Sequence, residues 1–164
     1  DQVMTLELAI NKCRKKNGEK PLNYYRGGPM ADISAYMAYT SRGNIIDIEI
    51  PDNDKAFEAY EDGKKLYFSK KGQLNFSCAD CHIWQAGTKL RADITSPGIG
   101  HSTHFPAYRL SSGRLVTLHE RFAGCLNRIR AKPYKAQKDK YRNLEYFITY
   151  MSNGLEINGP GSRK

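Results

Sequence analysis

Long apolar runs are absent from this chain of 164 residues. Nothing in it approaches the ~18 consecutive apolar residues of a membrane span. Collagen-like glycine periods, sustained heptads and low-complexity tracts are also absent, which excludes those classes. The opening Asp-Gln-Val-Met-Thr lacks a basic stretch followed by an apolar one, so an unprocessed secretory precursor is not expected. Acidic residues are the scarcer charge: 17 Asp and Glu stand against 26 Lys and Arg, a net charge of +9. Such an excess attracts anions, whether nucleic acid, small anionic substrates or acidic proteins. The basic residues are spread along the whole chain and form no recognition helix or RNA-binding signature, so nucleic acid is not the expected partner. Hydrophobic residues make up 40%, enough for one ordinary domain, or two small ones, with a buried core.

Cysteine is scarce too, with Cys13, Cys78, Cys81 and Cys125. A zinc ribbon needs two close pairs and there is only one. A thioredoxin-type Cys-x-x-Cys needs a βαβ setting, and none surrounds Phe76-Ser-Cys-Ala-Asp-Cys-His82. His82 completes Cys-x-x-Cys-His, the pattern of c-type haem attachment. Two thiols add to the haem vinyl groups, and the next residue offers an imidazole to the iron. The competing reading is a zinc site completed by cysteines or histidines elsewhere. Haem c is attached outside the bacterial cytoplasm, so this reading places the protein in the periplasm, with its signal removed.

Residues 54–68 have helical apolar spacing at Phe57, Tyr60, Leu66 and Tyr67, with Asp54 as the expected N-cap. This is the helix that should precede the haem motif of a cytochrome c domain. Residues 84–113 hold six Gly or Pro and read as a haem-wrapping loop with little regular structure. Helices are expected at 115–130 and 140–153, the second ended by Asn153-Gly154.

The chain also resembles itself. Leu118 to Cys125 matches Leu6 to Cys13, and Asn143 to Gly154 matches Asp32 to Gly43 with shared Tyr-x-Ser-x-Gly endings. The offset is 112 residues at the cysteine and 111 at the helix. The expected fold is therefore mainly α. Residues 1–50 would be the C-terminal half of a degenerate cytochrome c-like domain without a haem motif, and residues 51–164 a cytochrome c domain with one covalent haem. The boundary falls near Pro51-Asp-Asn-Asp54. Cys13 is then expected to be free or disulfide-linked rather than functional.

For the sixth iron ligand the candidates are Met151, the loop histidines His101 and His104, His119 and Cys125. The two loop histidines are expected to be exposed. Cys125 repeats the position of Cys13, and Arg121 lies one helical turn before it. A nearby cation and a ferric iron both favour thiolate over thiol. A thiolate ligand would lower the reduction potential of the iron. The alternative for Cys125 is a small buried hydrophobe.

The stretch from Gly63 to His82, with Phe105-Pro-Ala-Tyr-Arg109, Leu118 to Cys125, Tyr39-Thr-Ser-Arg-Gly43 and the 143–154 segment, resembles the SoxA family of the SoxAX cytochromes of bacterial sulfur oxidation. The resemblance implies haem c on Cys78 and Cys81, His82 as proximal ligand, and Cys125 as distal ligand and reactive sulfur, often a persulfide. It implies that Arg121 helps to bind an anionic substrate. It also implies a heterodimer with a SoxX-type cytochrome c, and oxidative joining of thiosulfate to a cysteine of the SoxYZ carrier (L-cysteine S-thiosulfotransferase activity). The chain departs from the family in starting late. The alternative function is a simple periplasmic electron-transfer cytochrome c, with an inert Cys125.

Overall fold

The computed structural model describes residues 2–90 and 93–163. Its helices are α1 (Leu6–Lys16), α2 (Pro29–Thr40), α3 (Asp54–Phe68), α4 (Leu118–Arg128) and α5 (Asp139–Tyr150). Among these residues no helix is long and apolar enough to cross a membrane. The fold is mainly α, as its patterning predicts. The 84–113 segment is mostly irregular but contributes strands. In it β1 (Lys89–Leu90) pairs with β2 (Asp93–Ile94), and β3 (Ala107–Arg109) is the centre of a sheet ordered β4-β3-β5 with β4 (Arg114–Val116) and β5 (Gly161–Arg163).

Side-chain caps set the helix starts. Asn53, rather than Asp54, caps α3, its Oδ1 accepting from the Ala56 N–H at 2.8 Å. Asp54 becomes the first helical residue, where its charge suits the positive end of the helix dipole. The helix expected over 115–130 starts later. Residues 114–116 pair with β3 instead, and the Thr117 hydroxyl accepts from Glu120 N–H to begin α4. Leu115 therefore belongs to a strand, because β3 offers its backbone a ladder that the helical periodicity does not reveal.

The core forms where α3 crosses α5. Leu66, Tyr67, Leu144, Phe147 and Ile148 are buried there with Ala79 and Leu118. The crossing is close because α3 presents Gly63: a Cβ at that position would strike the Asn143 carbonyl and come within 3.0 Å of Phe147 Cβ. Aromatic rings then fill the crossing, with Tyr60 and Tyr67 centred 5.5 and 5.4 Å from Phe147 in tilted geometry.

The internal repeat reappears as paired backbone. Gly43 N–H donates to the Ile157 carbonyl, and its counterpart Gly154 N–H donates to the Ile46 carbonyl. Ile46 N–H donates to Leu155, and its counterpart Ile157 N–H donates to Asn44. Each bond maps onto the other at the 111-residue offset, which is a local two-fold arrangement. Gly43 and Gly154 both have left-handed backbones, with φ of 84° and 83°. α1 and α4 match as well: each has 11 residues and begins at a threonine whose hydroxyl accepts from the backbone three residues on.

Polar groups join the two repeats. Thr5 Oγ1 donates to Gln137 Oε1 at 2.6 Å, and Gln137 N–H donates to His119 Nδ1 at 3.1 Å. His119 Nε2 lies 2.9 Å from Glu145 Oε2. Glu7 of α1 packs into the same junction, facing Ser34 of α2, His119 of α4 and Glu145 of α5. Burial, and then repulsion by Glu145, push the Glu7 carboxyl above its ordinary range.

Two outcomes are expected. Gly63→Ala should cost about 1–3 kcal/mol in urea unfolding, because overpacking at a backbone contact outweighs the better helix propensity of alanine. A carboxyl raised in the folded state destabilises the fold once ionised, so the Glu7 contribution falls as pH rises from the usual carboxylate range through about 7. The urea midpoint of Glu7→Gln, relative to the parent, should therefore climb between pH 4 and pH 8; a flat difference would mean that Glu7 titrates normally.

Candidate active site

The haem-motif segment is shaped by its own short polar residues. Asp80 Oδ2 accepts from both the backbone N–H and the hydroxyl of Ser77 at 2.8 Å, and Asp80 N–H donates back to Ser77 Oγ at 3.1 Å. The reciprocal cap starts a helical turn at Ser77 that widens into a π-helical turn over Asp80–Trp84. Cys78 and Cys81 are half-buried on this turn, four residues and one residue ahead of His82.

His82 is oriented from behind. Its Nδ1 lies 2.8 Å from the Ser96 carbonyl, which can only accept, so Nδ1 carries the proton and Nε2 keeps a free lone pair. That is the arrangement of a metal-ligating imidazole with its outer nitrogen anchored. The 96–104 loop adds further support. Gly98 N–H donates to the His82 carbonyl at 2.8 Å, and the His101 ring stands edge-on to the His82 ring at 4.5 Å between centroids. His101 Nε2 bonds Ser96 Oγ at 2.9 Å. Burial, and then the neighbouring His82, hold His101 down to about 3. It is a neutral packing partner, and both it and His104 are half-buried, contrary to the exposed loop histidines expected. Spacing alone gives no sign of this, because the contact depends on how the loop folds back.

α4 brings Cys125 to the same place. Its sulfur lies beside the His82 imidazole. Burial pushes the thiol up, but the adjoining His82 imidazole and the positive charges of Arg121 and Arg128 outweigh it, and the thiol falls below its ordinary value. The other two thiols of the cluster move the opposite way. Burial and then Cys125 push Cys78 up to about 12, and the same two causes raise Cys81. One sulfur of the three is thus tuned toward thiolate. Cys13, its counterpart in the repeat, is exposed on α1.

The remaining ligand candidates are engaged elsewhere. His119 is 2% exposed and held by Gln137 and Glu145. Met151 packs against the aromatic core. Among the described residues no group of three or more His, Cys, Asp or Glu converges to hold a metal ion, which leaves the zinc reading without a ligand set. A cavity of about 320 Å³ borders α4, lined by Arg109, Arg114, Glu120, Arg121, Gly124 and Arg128. Arg121 was legible from its spacing to Cys125, and Arg109 as the last residue of Phe105-Pro-Ala-Tyr-Arg109.

Comparison with known proteins gives the following. The family model for the SoxA/TsdA cytochrome c domain matches residues 62–157. The chain is 57% identical over 164 residues to the L-cysteine S-thiosulfotransferase subunit SoxA of Allochromatium vinosum, covering 99% of this chain and 58% of that protein. It is 52% identical over 163 residues to the subunit of the same name from Chlorobaculum tepidum, covering 99% and 56%. The crystal structure of SoxXA from P. pantotrophus aligns with a TM-score of 0.89 at 33% identity, over 98% of this chain and 60% of that one. The chain thus spans somewhat over half the length of the curated relatives it matches.

A cytochrome c domain implies haem c, and the residues present fit that group. Two thiols and an anchored imidazole occupy one turn, and a third sulfur faces the imidazole. Tyr67, near Cys78 and Cys81, is 2% exposed, and its hydroxyl finds no hydrogen-bond partner among the described residues. An orphaned polar group against a haem motif is what a site built around a further group should show.

Gly98 tests this support. A Cβ there would collide with the Tyr67 hydroxyl and lie 3.6 Å from His82 Cβ. Gly98→Ala should therefore lower the midpoint of thermal unfolding and broaden the Soret band of the haem-loaded protein, while Gly98→Ala with Tyr67→Phe should recover most of the loss. If the double variant is no better than the single one, the Gly98–Tyr67 contact does not position His82.

Proposed function

The chain belongs to the SoxA/TsdA cytochrome c family, and from that premise we propose that it is the haem-bearing region of a periplasmic thiosulfate-conjugating enzyme subunit. The observation that carries this reading is the meeting of His82 and Cys125 with Arg121 alongside. An electron carrier needs a stable sixth ligand, not a sulfur tuned toward thiolate and flanked by cations.

Cys78 and Cys81 would hold one haem c, and His82 and Cys125 are the residues that would bind its iron. When bound, the haem supplies one-electron transfer between the site and a partner cytochrome. Arg121 draws in the thiosulfate dianion and keeps the Cys125 sulfur anionic. Cys125 is the reactive sulfur through which the two sulfurs are brought together. Joining thiosulfate to the thiol of a carrier protein forms one S–S bond and releases two electrons and one proton; the product is a cysteine S-thiosulfonate. A SoxX-type cytochrome c takes the electrons, and the SoxYZ carrier supplies the thiol. Residues 1–50 are the C-terminal half of a degenerate, haem-less cytochrome c-like domain, and residues 51–164 the cytochrome c domain. The matched hydrogen bonds of residues 43–46 and 154–157 support this division.

The test is Cys125→Ala in the full-length, haem-loaded complex. Thiosulfate-dependent conjugation should fall roughly a thousandfold or more, as for loss of a nucleophile, while the covalent haem remains by mass and is still reduced by dithionite. Cys13→Ala, on the exposed counterpart, should leave the rate unchanged. Activity that survives Cys125→Ala would return the chain to the electron-carrier reading.

A further inference from the structure

α4 opens with the residues of a capping box, but its glutamate is spent elsewhere. In Thr117-Leu-His-Glu120 the threonine hydroxyl accepts from the Glu120 N–H at 3.4 Å and caps the helix. The glutamate of such a box ordinarily turns back to the amide of its own cap. Glu120 reaches outward instead. Arg114 of β4 donates to both of its oxygens, at 3.0 and 2.5 Å, and the Arg26 N–H donates to Oε1 at 3.1 Å. The Thr117 hydroxyl reaches the same way and donates to the Tyr24 carbonyl at 3.2 Å. The first turn of α4 is thus tied, at both residues of its box, to the segment between α1 and α2.

That segment is itself held. Asn11 of α1 is 3% exposed and clamps both backbone groups of Leu22: Nδ2 donates to the carbonyl at 2.9 Å, and Oδ1 accepts from the N–H at 2.7 Å. At the other end Pro29 opens α2, followed by the buried Met30 and Ala31. Between these anchors Arg26, Gly27 and Gly28 all have left-handed backbones, with φ of 67°, 67° and 72°. Gly27 serves contact as well as conformation: a Cβ there would lie 3.1 Å from the carbonyl of Leu115, the β4 residue two before Thr117. A left-handed arginine is uncommon, and this one aims its amide at Glu120.

The repeat is the second, independent observation. At the 111-residue offset Arg26 corresponds to Gln137, which is left-handed too, with φ of 59°. Gln137 sends its N–H to His119 in the first turn of α4, at 3.1 Å. A faithful two-fold would send the Arg26 N–H to Glu7, the match of His119 in the first turn of α1. It goes to α4 instead. Two matched amides therefore grip one helix of the matched pair, the one that carries Arg121 and Cys125. The match of Glu120 in α1 is Leu8, whose side chain cannot accept a hydrogen bond.

We propose that the Tyr24–Gly27 turn is a positioning element of the reaction centre: by holding Thr117 and Glu120 it fixes the start and rotation of α4, and with them the meeting of Cys125 with His82. The proposal rests on the reading of Cys125 as the reactive sulfur and deepens it, naming Glu120 as a positioning residue. Cys125 follows Glu120 by five residues, and each residue turns the helix by about 100°. A slip at the first turn therefore carries the sulfur away from the imidazole. Burial pushes the Glu120 carboxyl up, but Arg114 and the Arg26 amide outweigh it and hold it below its ordinary range, so the tether stays charge-assisted.

The experiment uses the full-length, haem-loaded complex with Glu120→Gln, Gly27→Ala and Arg26→Gly, each measured well below its melting temperature. The readouts are the ferric low-spin EPR signal, taken without thiosulfate, and kcat and KM for thiosulfate. Glu120→Gln and Gly27→Ala should each add a second low-spin species and lower kcat about tenfold or more, with KM within about twofold, as for a misplaced reacting group. Arg26→Gly keeps the amide and suits the left-handed backbone, so it should retain the single parental signal. Should Gly27→Ala fail to assemble with haem, Gly27→Asn replaces it, since asparagine adds a Cβ yet tolerates positive φ. A parental signal and a kcat within about twofold in both the Glu120 and Gly27 variants would overturn the proposal, even if both melt earlier. So would an effect of Glu120→Gln that the Gly27 variant does not share, which would assign it to lost charge beside Arg121. Failure of the positioning element and failure of the parent reading are distinguishable. Conjugation through Cys125 that is indifferent to both variants removes the positioning element alone. An EPR signal that follows the tether, in a complex that conjugates nothing, keeps the positioning element and removes the conjugating reading.

Discussion

The structure depends on one meeting, between the imidazole of His82 and the sulfur of Cys125. The two residues are 43 positions apart, and a different part of the fold places each. His82 is fixed by a capped turn and by the Ser96 carbonyl behind it. Cys125 is fixed by the start of α4 at Thr117, which follows from the strand pairing of 114–116 with β3. A one-residue change in where α4 begins would turn Cys125 by about 100° around the helix, away from the imidazole. The short sheet therefore matters less as a layer than as a ruler for α4. The α3–α5 crossing sets the other end of the distance, since Tyr67 of α3 abuts the loop that carries Ser96 and Gly98.

The repeat shows that position alone does not make a reactive cysteine. Cys13 and Cys125 occupy the same place in matched helices with matched threonine caps. Cys13 is exposed, with Asn17 Nδ2 3.6 Å from its sulfur. Cys125 is enclosed among His82, Arg121 and Arg128. The difference lies in what each helix packs against. The haem-motif turn and the loop over 96–104 fold against α4 and enclose its cysteine. Reactivity here is a property of an environment assembled from three separate segments.

That distinction explains what was legible in the sequence and what was not. The Cys-x-x-Cys-His turn, the extent of α3, and the partnership of Arg121 with Cys125 are local facts, carried by spacings of three, four or a few residues. Chain-wide self-similarity also showed, because the two repeats keep the same caps and the same glycine turns. One misreading is local, the cap of α3 at Asn53 rather than Asp54; the others involve partners distant in sequence. Leu115 looked helical by period until β3 claimed its backbone. His101 looked like a solvent-facing loop residue until the loop folded onto His82. Arg109 showed only as the last residue of Phe105-Pro-Ala-Tyr-Arg109, because its approach to Arg121 and Arg128 needs a strand and a helix laid side by side.

α4 then reads as a divided element. Arg121, Cys125 and Arg128 fall within about 60° of one another around its axis, and His119 falls on nearly the opposite side. The first face carries the chemistry and tolerates uncompensated positive charge. The opposite face carries the junction with α1 and α5, where His119, Glu145 and Glu7 make a buried acidic cluster. The two faces hold their charge by different means. On the junction side, burial and then Glu145 push the Glu7 carboxyl up, so that face carries less negative charge than its composition suggests. On the other side Arg128 is exposed and Arg121 half-buried, so water and salt screen the guanidinium groups and one short helix can keep both, seven residues apart, without an ion-pair partner among the described residues.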